Sequence, residues 1–127
     1  MTDCRLTIIS RGSEWESNIS CCGRMKISDN SAVICYSMDG DECTLSLSPG
    51  RIEQVRKGST NIRISFVEGG KTACILGDEL LRGGYEVFTS RLSCIIKKFG
   101  AVARIEYLSG EDRERITLSV SATYIPV

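Results

Sequence analysis

Along most of the chain, apolar and polar residues alternate with a period of two, and glycine-containing turns break the alternation at near-regular intervals. The last segment shows it best. From Arg113 to Tyr124, Ile116, Leu118, Val120, Ala122 and Tyr124 fall on one face and Thr117, Ser119, Ser121 and Thr123 on the other. Side chains alternate faces along a strand, so this predicts a strand with one buried and one wet face. Ile62, Ile64 and Phe66 oppose Arg63 and Ser65, and Ala103, Ile105 and Tyr107 oppose Arg104 and Glu106. Val, Ile, Thr, Ser and aromatic residues dominate these runs, as suits a pleated surface.

The turns divide the rest. Asp29-Asn30 separates Arg24–Ser28 from Ala32–Met38, and Asp39-Gly40 separates that run from Cys43–Ser48. Ser48-Pro49-Gly50-Arg51 fits a type II turn, with Pro presetting the second position and Gly supplying positive φ at the third. Lys57-Gly58 follows Arg51–Arg56, and Gly69-Gly70 joins Asn61–Val67 to Lys71–Leu76 as a two-residue hairpin connection. Gly83-Gly84 precedes Tyr85–Thr89, Phe99-Gly100 separates Arg91–Lys98 from Ala101–Leu108, and Ser109-Gly110-Glu111-Asp112 leads into the final strand. The best helix candidate, Asp78–Arg82, lies between Gly77 and Gly83-Gly84 and is a turn or two at most.

Connections this short imply antiparallel neighbours, because parallel strands need long crossovers. A meander of about ten strands forms either a sandwich or a closed barrel. With no long loop for a Greek key, the up-and-down barrel, which leaves no exposed edge, is the expectation. At 127 residues the chain is one domain, residues 1–127.

The pattern resembles the YwiB-like family, small bacterial proteins of unknown function with a calycin-type, lipocalin-like β-barrel. The resemblance runs from about Ile19 to Tyr124. It is carried by Gly23-Arg24-Met25-Lys26-Ile27 through Tyr36, by Ile52–Arg56 with Lys57-Gly58, and by Ile64-Ser65-Phe66-Val67-Glu68-Gly69. Gly84–Leu92 and Gly100-Ala101-Val102-Ala103-Arg104-Ile105-Glu106-Tyr107 continue it. Where the family tends to carry a Thr-Pro-x-Gly-like turn, this chain reads Leu81-Arg82-Gly83-Gly84. The resemblance implies the barrel and brings no activity with it.

Composition narrows the chemistry. Charged residues make up 25% and the net charge is +0, so no bulk charge marks a polyanion partner. The chain has no His, which removes Ser–His and Cys–His nucleophilic pairs. Seven Cys form no Cys-x-x-Cys pair and sit mostly in strand-like runs, so they read as reduced packing residues rather than zinc ligands or staples. The vicinal Cys21-Cys22 is expected to point to opposite faces. Asp39-Gly40-Asp41-Glu42, the densest acidic cluster, reads as a turn, as do Asp78-Glu79 and Glu111-Asp112. Gly69-Gly70 and Gly83-Gly84 lack a phosphate-loop pattern. No catalytic residue, metal site or cofactor is therefore expected, and the protein is expected not to be an enzyme. No apolar run approaches the ~20 residues of a membrane helix. The first residues, Met1-Thr2-Asp3-Cys4-Arg5, show no secretory or lipoprotein signal. A cytoplasmic protein without membrane partners is the expectation.

The barrel interior is the remaining candidate site. Ile62, Ile64, Phe66, Ile105, Tyr107, Leu118, Val120 and Tyr124 are expected to point inward. An interior of this size is either filled by side chains or holds one small ligand. For the second case Ile64, Phe66, Ile105, Tyr107, Leu118 and Tyr124 are the ligand-binding candidates. Tyr107 and Tyr124 would supply polar handles for an apolar or amphipathic molecule. The alternative is an interaction module with a filled core and an outer patch around Arg51, Arg56, Lys57 and Arg63 that meets protein or RNA. Charge balance and the scarcity of exposed aromatic candidates argue against nucleic acid. The strands leave a homodimer open.

Overall fold

The computed structural model describes residues 1–77, 83–110 and 112–126. The helix candidate Asp78–Arg82 and the acid Glu111 lie outside them. Ten strands follow one another: β1 (Thr2–Arg11), β2 (Glu16–Ser28), β3 (Ser31–Met38), β4 (Asp41–Ser48), β5 (Arg51–Lys57), β6 (Ile62–Val67), β7 (Lys71–Leu76), β8 (Gly83–Ile96), β9 (Gly100–Ser109) and β10 (Glu114–Tyr124). Each pairs antiparallel with the next, and β1 pairs with β10, which closes an up-and-down barrel. The short turns make every neighbour in sequence a neighbour in space, and the β1–β10 pairing removes the two edges that an open meander would expose.

The turns take the conformations that their residues dictate. Asp39 and Gly40 both have positive φ, as a two-residue hairpin with matching twist requires. Gly50 adopts φ +85°, which the Pro-Gly turn demands of its third residue. β1, which buries Cys4, Leu6 and Ile8 on alternate positions, and its connection to β2 through Gly12–Trp15 extend the ladder ahead of the turns named above.

Two long strands organise the barrel. β2 pairs with β1 over Glu16–Met25 but with β3 only over Arg24–Ser28. β8 pairs with β7 over Gly83–Phe88 and with β9 over Val87–Ile96. Each therefore passes from one half of the barrel (β9, β10, β1) to the other (β3 to β7). The sequence divides Tyr85–Thr89 from Arg91–Lys98. The structure instead carries β8 straight through, with a bulge between Thr89 and Arg91 that shifts the register by one. The extra residue turns Leu92 onto the buried face and increases the local twist. At the other crossing, a Cβ on Gly23 would lie 2.7 Å from the Cys35 carbonyl oxygen, so only glycine lets β2 approach β3 there.

The inward positions of both halves form one core. Leu6, Ile34, Leu45, Ile52, Phe66, Ile105 and Val120 are each at most 1% exposed. Burial of these side chains is the main stabilising term, roughly 1.5–3 kcal/mol for each large one. The alternation that predicted the strands also predicted this core: Ile64, Leu118 and Val120 are buried with it, and Ile62, Tyr107 and Tyr124 pack against it half-buried.

Candidate functional site

The barrel has two ends. One carries the turns Gly12–Trp15, Asp39-Gly40 and Gly58–Asn61 and the β9–β10 connection. The other carries Asp29-Asn30, Pro49-Gly50, Glu68–Gly70, Lys97–Phe99 and both termini. The six predicted ligand-binding residues do not converge on one point. Phe66 and Tyr107 meet across the interior with ring centroids 4.8 Å apart and planes tilted by 54°. Ile105 pairs directly with Leu118, and both lie on the same buried face as Tyr107. Ile64 follows Phe66 on the inner face of β6.

Tyr124 stands apart. It ends β10, whereas Tyr107 pairs with Ile116 near the strand's start, roughly 25 Å away at about 3.3 Å per residue. Its hydroxyl accepts a hydrogen bond from the Ile27 backbone N–H at 3.1 Å. The two tyrosines thus cannot serve one small ligand together. The Tyr124 handle is spent on β2, which it ties to the carboxyl-terminal strand.

A polar group that the sequence did not single out stands beside Tyr107. Thr89 is its direct partner in the β8–β9 ladder and is 0% exposed. Among the described residues, its hydroxyl is the one buried side-chain polar atom without a hydrogen-bond partner. An orphaned buried hydroxyl costs about 1–3 kcal/mol. The neighbouring Tyr107 phenol is pushed well above its ordinary pKa, first by burial and then by the nearby Tyr85, Cys74 and Glu114. Both hydroxyls are therefore neutral at physiological pH.

A second set of polar side chains enters the interior near the Asp39-Gly40 turn. Gln54 and Arg56 share the inner face of β5 with Ile52. Gln54 Nε2 donates to the Tyr36 hydroxyl at 3.1 Å, and burial pushes that phenol up to about 12 although the amide's hydrogen bond opposes the shift. Arg56 Nε donates to Asp41 Oδ2 at 2.8 Å and its Nη1 approaches Met38 Sδ at 3.4 Å. Asp41 also accepts from the Ser59 N–H at 2.8 Å, the Ser59 hydroxyl at 3.0 Å and the Thr60 N–H at 3.2 Å. The Arg56 hydrogen bond first, then that of the Ser59 N–H, hold its carboxyl down at about 2. With its charge matched in this way, Arg56 offers little attraction to a free anion.

The proposed outer patch thus needs correcting. Arg51, Lys57 and Arg63 are exposed, but Arg56 turns inward, because alternation from Ile52 places it on the buried face. The same alternation makes Asp41 more than a turn acid: it is 3% exposed and locks the β3–β4 turn to the β5–β6 loop.

The cysteines follow the strand pleat. All seven are free; Cys4, Cys43 and Cys74 are buried, Cys21, Cys35 and Cys94 are half-buried, and Cys22 alone is exposed. Burial pushes the Cys4, Cys21, Cys43, Cys74 and Cys94 thiols up, away from reactive thiolate. Among the described residues no three His, Cys, Asp or Glu side chains are placed to hold a metal ion. Among the described residues, one shallow surface cleft lies between Arg11, Ser13 and Glu114 and another between Lys71, Glu86 and Leu108. Neither is lined by the six predicted residues.

With the geometry in hand, comparison with known proteins gives a fold and no activity. The crystal structure of the ywiB protein from Bacillus subtilis matches with a TM-score of 0.84 at 14% identity, covering 98% of this chain and 93% of that one. No family model and no curated protein matches the sequence.

Proposed function

We propose that this YwiB-like barrel is a non-enzymatic binder of a small apolar or amphipathic molecule held in its interior. The observation that carries the reading is the unpartnered Thr89 hydroxyl, fully buried beside Tyr107, whose ring meets that of Phe66. Polar atoms in a dry core are almost always paired, so an orphan next to a second neutral hydroxyl asks for a partner. A ligand with one uncharged polar atom would supply it, its apolar body lying against Phe66, Tyr107, Ile105 and Leu118. The matched Asp41–Arg56 charges and the neutral Tyr36 and Tyr107 phenols favour an uncharged head over a carboxylate or phosphate. The raised thiols and the absence of His support binding without chemistry.

Mass spectrometry of the protein purified from its native host, under native and then denaturing conditions, tests this reading. A stoichiometric small molecule is expected in the native spectrum and absent from the protein mass after denaturation. Thr89→Val and Tyr107→Phe should each lower its occupancy. A bare chain in the native spectrum, with ligand-screening calorimetry equally silent, would sink the reading.

A further inference from the structure

We propose that the β8–β9 hairpin is a docking surface for an anionic lipid bilayer. Ile95 and Val102 pair across the outer face of the two strands and are 56% and 46% exposed, and Phe99 at the tip is 64% exposed. Single exposed apolar residues are ordinary, but three on one hairpin form a contiguous patch. The tip is tight, with the Lys97 N–H donating to the Gly100 carbonyl at 2.8 Å, so Lys98 and Phe99 project beyond the barrel wall.

The charge carried by the hairpin itself is one-sided in a chain whose net charge is +0. Between Glu86 and Glu106 the sequence contains no acid and four cations, Arg91, Lys97, Lys98 and Arg104. All four are exposed, and among the described residues only Arg104 approaches a carboxylate, Glu106 at 4.0 Å. Apolar side chains at a convex tip with lysines beside them suit the headgroup–acyl boundary, where the apolar groups insert and the ammonium groups meet anionic headgroups.

The other occupants fit less well. A second copy docked symmetrically would bring two equally cationic patches together. A stable protein interface needs about 800 Å² from each partner, more than one hairpin tip offers. Single-stranded RNA needs aromatic stacking platforms, whereas this patch has one ring, with the Lys98 ammonium 5.4 Å from its centroid. The expectation of no membrane partner rests on the lack of an apolar spanning run, a demand that a peripheral contact does not make.

The test is co-sedimentation of the full chain with phosphatidylcholine vesicles that do or do not contain phosphatidylserine. The protein should pellet with the anionic vesicles, less so as salt rises, and hardly at all with the neutral ones. Lys97→Gln with Lys98→Gln should weaken partitioning roughly 30-fold, and Phe99→Ala roughly tenfold. Val102→Ser gives an independent apolar variant, and circular dichroism checks that each remains folded. Failure to pellet with anionic vesicles overturns the proposal. So does binding that Phe99→Ala and Val102→Ser leave intact, especially if an RNA oligomer competes it away, because that is a polyanion site instead.

Discussion

Arg56 Nε sits 2.8 Å from Asp41 Oδ2, and the pair joins the start of β4 to the end of β5 on the inner face of the barrel. Removing one partner would leave the other charge partly desolvated and unmatched, which costs more than the pair contributes while intact.

Acid stability follows from this pair. Asp41 is held down at about 2, first by Arg56 and then by the Ser59 N–H, against an ordinary value of 3.8. A carboxylate with a depressed folded pKa stabilises the fold fully above its unfolded value, and that contribution is lost as pH falls through the folded value. The wild-type melting temperature should therefore fall with a component between about pH 4 and pH 2 that Asp41→Asn lacks. At neutral pH Asp41→Asn should melt well below wild type, whereas Glu42→Gln, an exposed neighbour, should not. Thermal melts across this pH range check both, and parallel acid limbs for wild type and Asp41→Asn would refute the assignment.

Thr89→Val separates two demands on one hydroxyl. Valine matches threonine in shape and removes the orphaned polar atom, so the ligand-free variant should gain about 1–2 kcal/mol in chemical denaturation. If ligand supplies the partner, the same change should reduce ligand occupancy and any ligand-induced rise in melting temperature. A Thr89→Val variant less stable than ligand-free wild type would mean that the hydroxyl already has a partner.

The sequence made the strands and the core legible because each rests on local chemistry. Glycine and proline turns mark the strand ends, and a period of two identifies the inner face. The register that closes β10 on β1 joins the two ends of the chain, and no turn residue specifies it. Three further features were not legible. Gln54 and Arg56 lie on the inner face of a strand whose outward Val55 blurs the alternation. Thr89 reads as an ordinary strand threonine until the bulge beside it and its Tyr107 partner are known. The distance between Tyr107 and Tyr124 depends on where each falls along the barrel, which a face assignment does not specify.

Thiol labelling should follow the pleat. Cys22 faces solvent on the outer side of β2 while Cys21 next to it turns inward with a raised pKa. A disulfide-exchange reagent at neutral pH should modify one thiol of the folded protein quickly, and Cys22→Ser should abolish that fast phase. Cys4, Cys43 and Cys74 should react only at the rate of unfolding, because they are buried and burial disfavours their thiolates. Rapid modification of several thiols in the native state would contradict the packing role assigned to them.

The bulge in β8 depends on a side chain from another strand connection. Leu92 pairs with Ile105 of β9 just past the bulge, beyond Phe88 where the β7 ladder ends, and Glu68 Oε2, from the β6–β7 connection, accepts its N–H at 3.0 Å. A carboxylate acceptor strengthens this bond and pairs the Leu92 N–H at the point where Leu92 enters the core. Glu68→Ala should leave that part-buried N–H unsatisfied and cost about 1–2 kcal/mol. Glu68→Gln keeps an oxygen acceptor and loses only the charge, so it should cost less than half as much. Urea denaturation of the three proteins measures the difference, and hydrogen exchange locates it, with the Leu92 amide losing protection in Glu68→Ala. Equal midpoints for wild type and Glu68→Ala would show that the bulge is held by the neighbouring ladder alone.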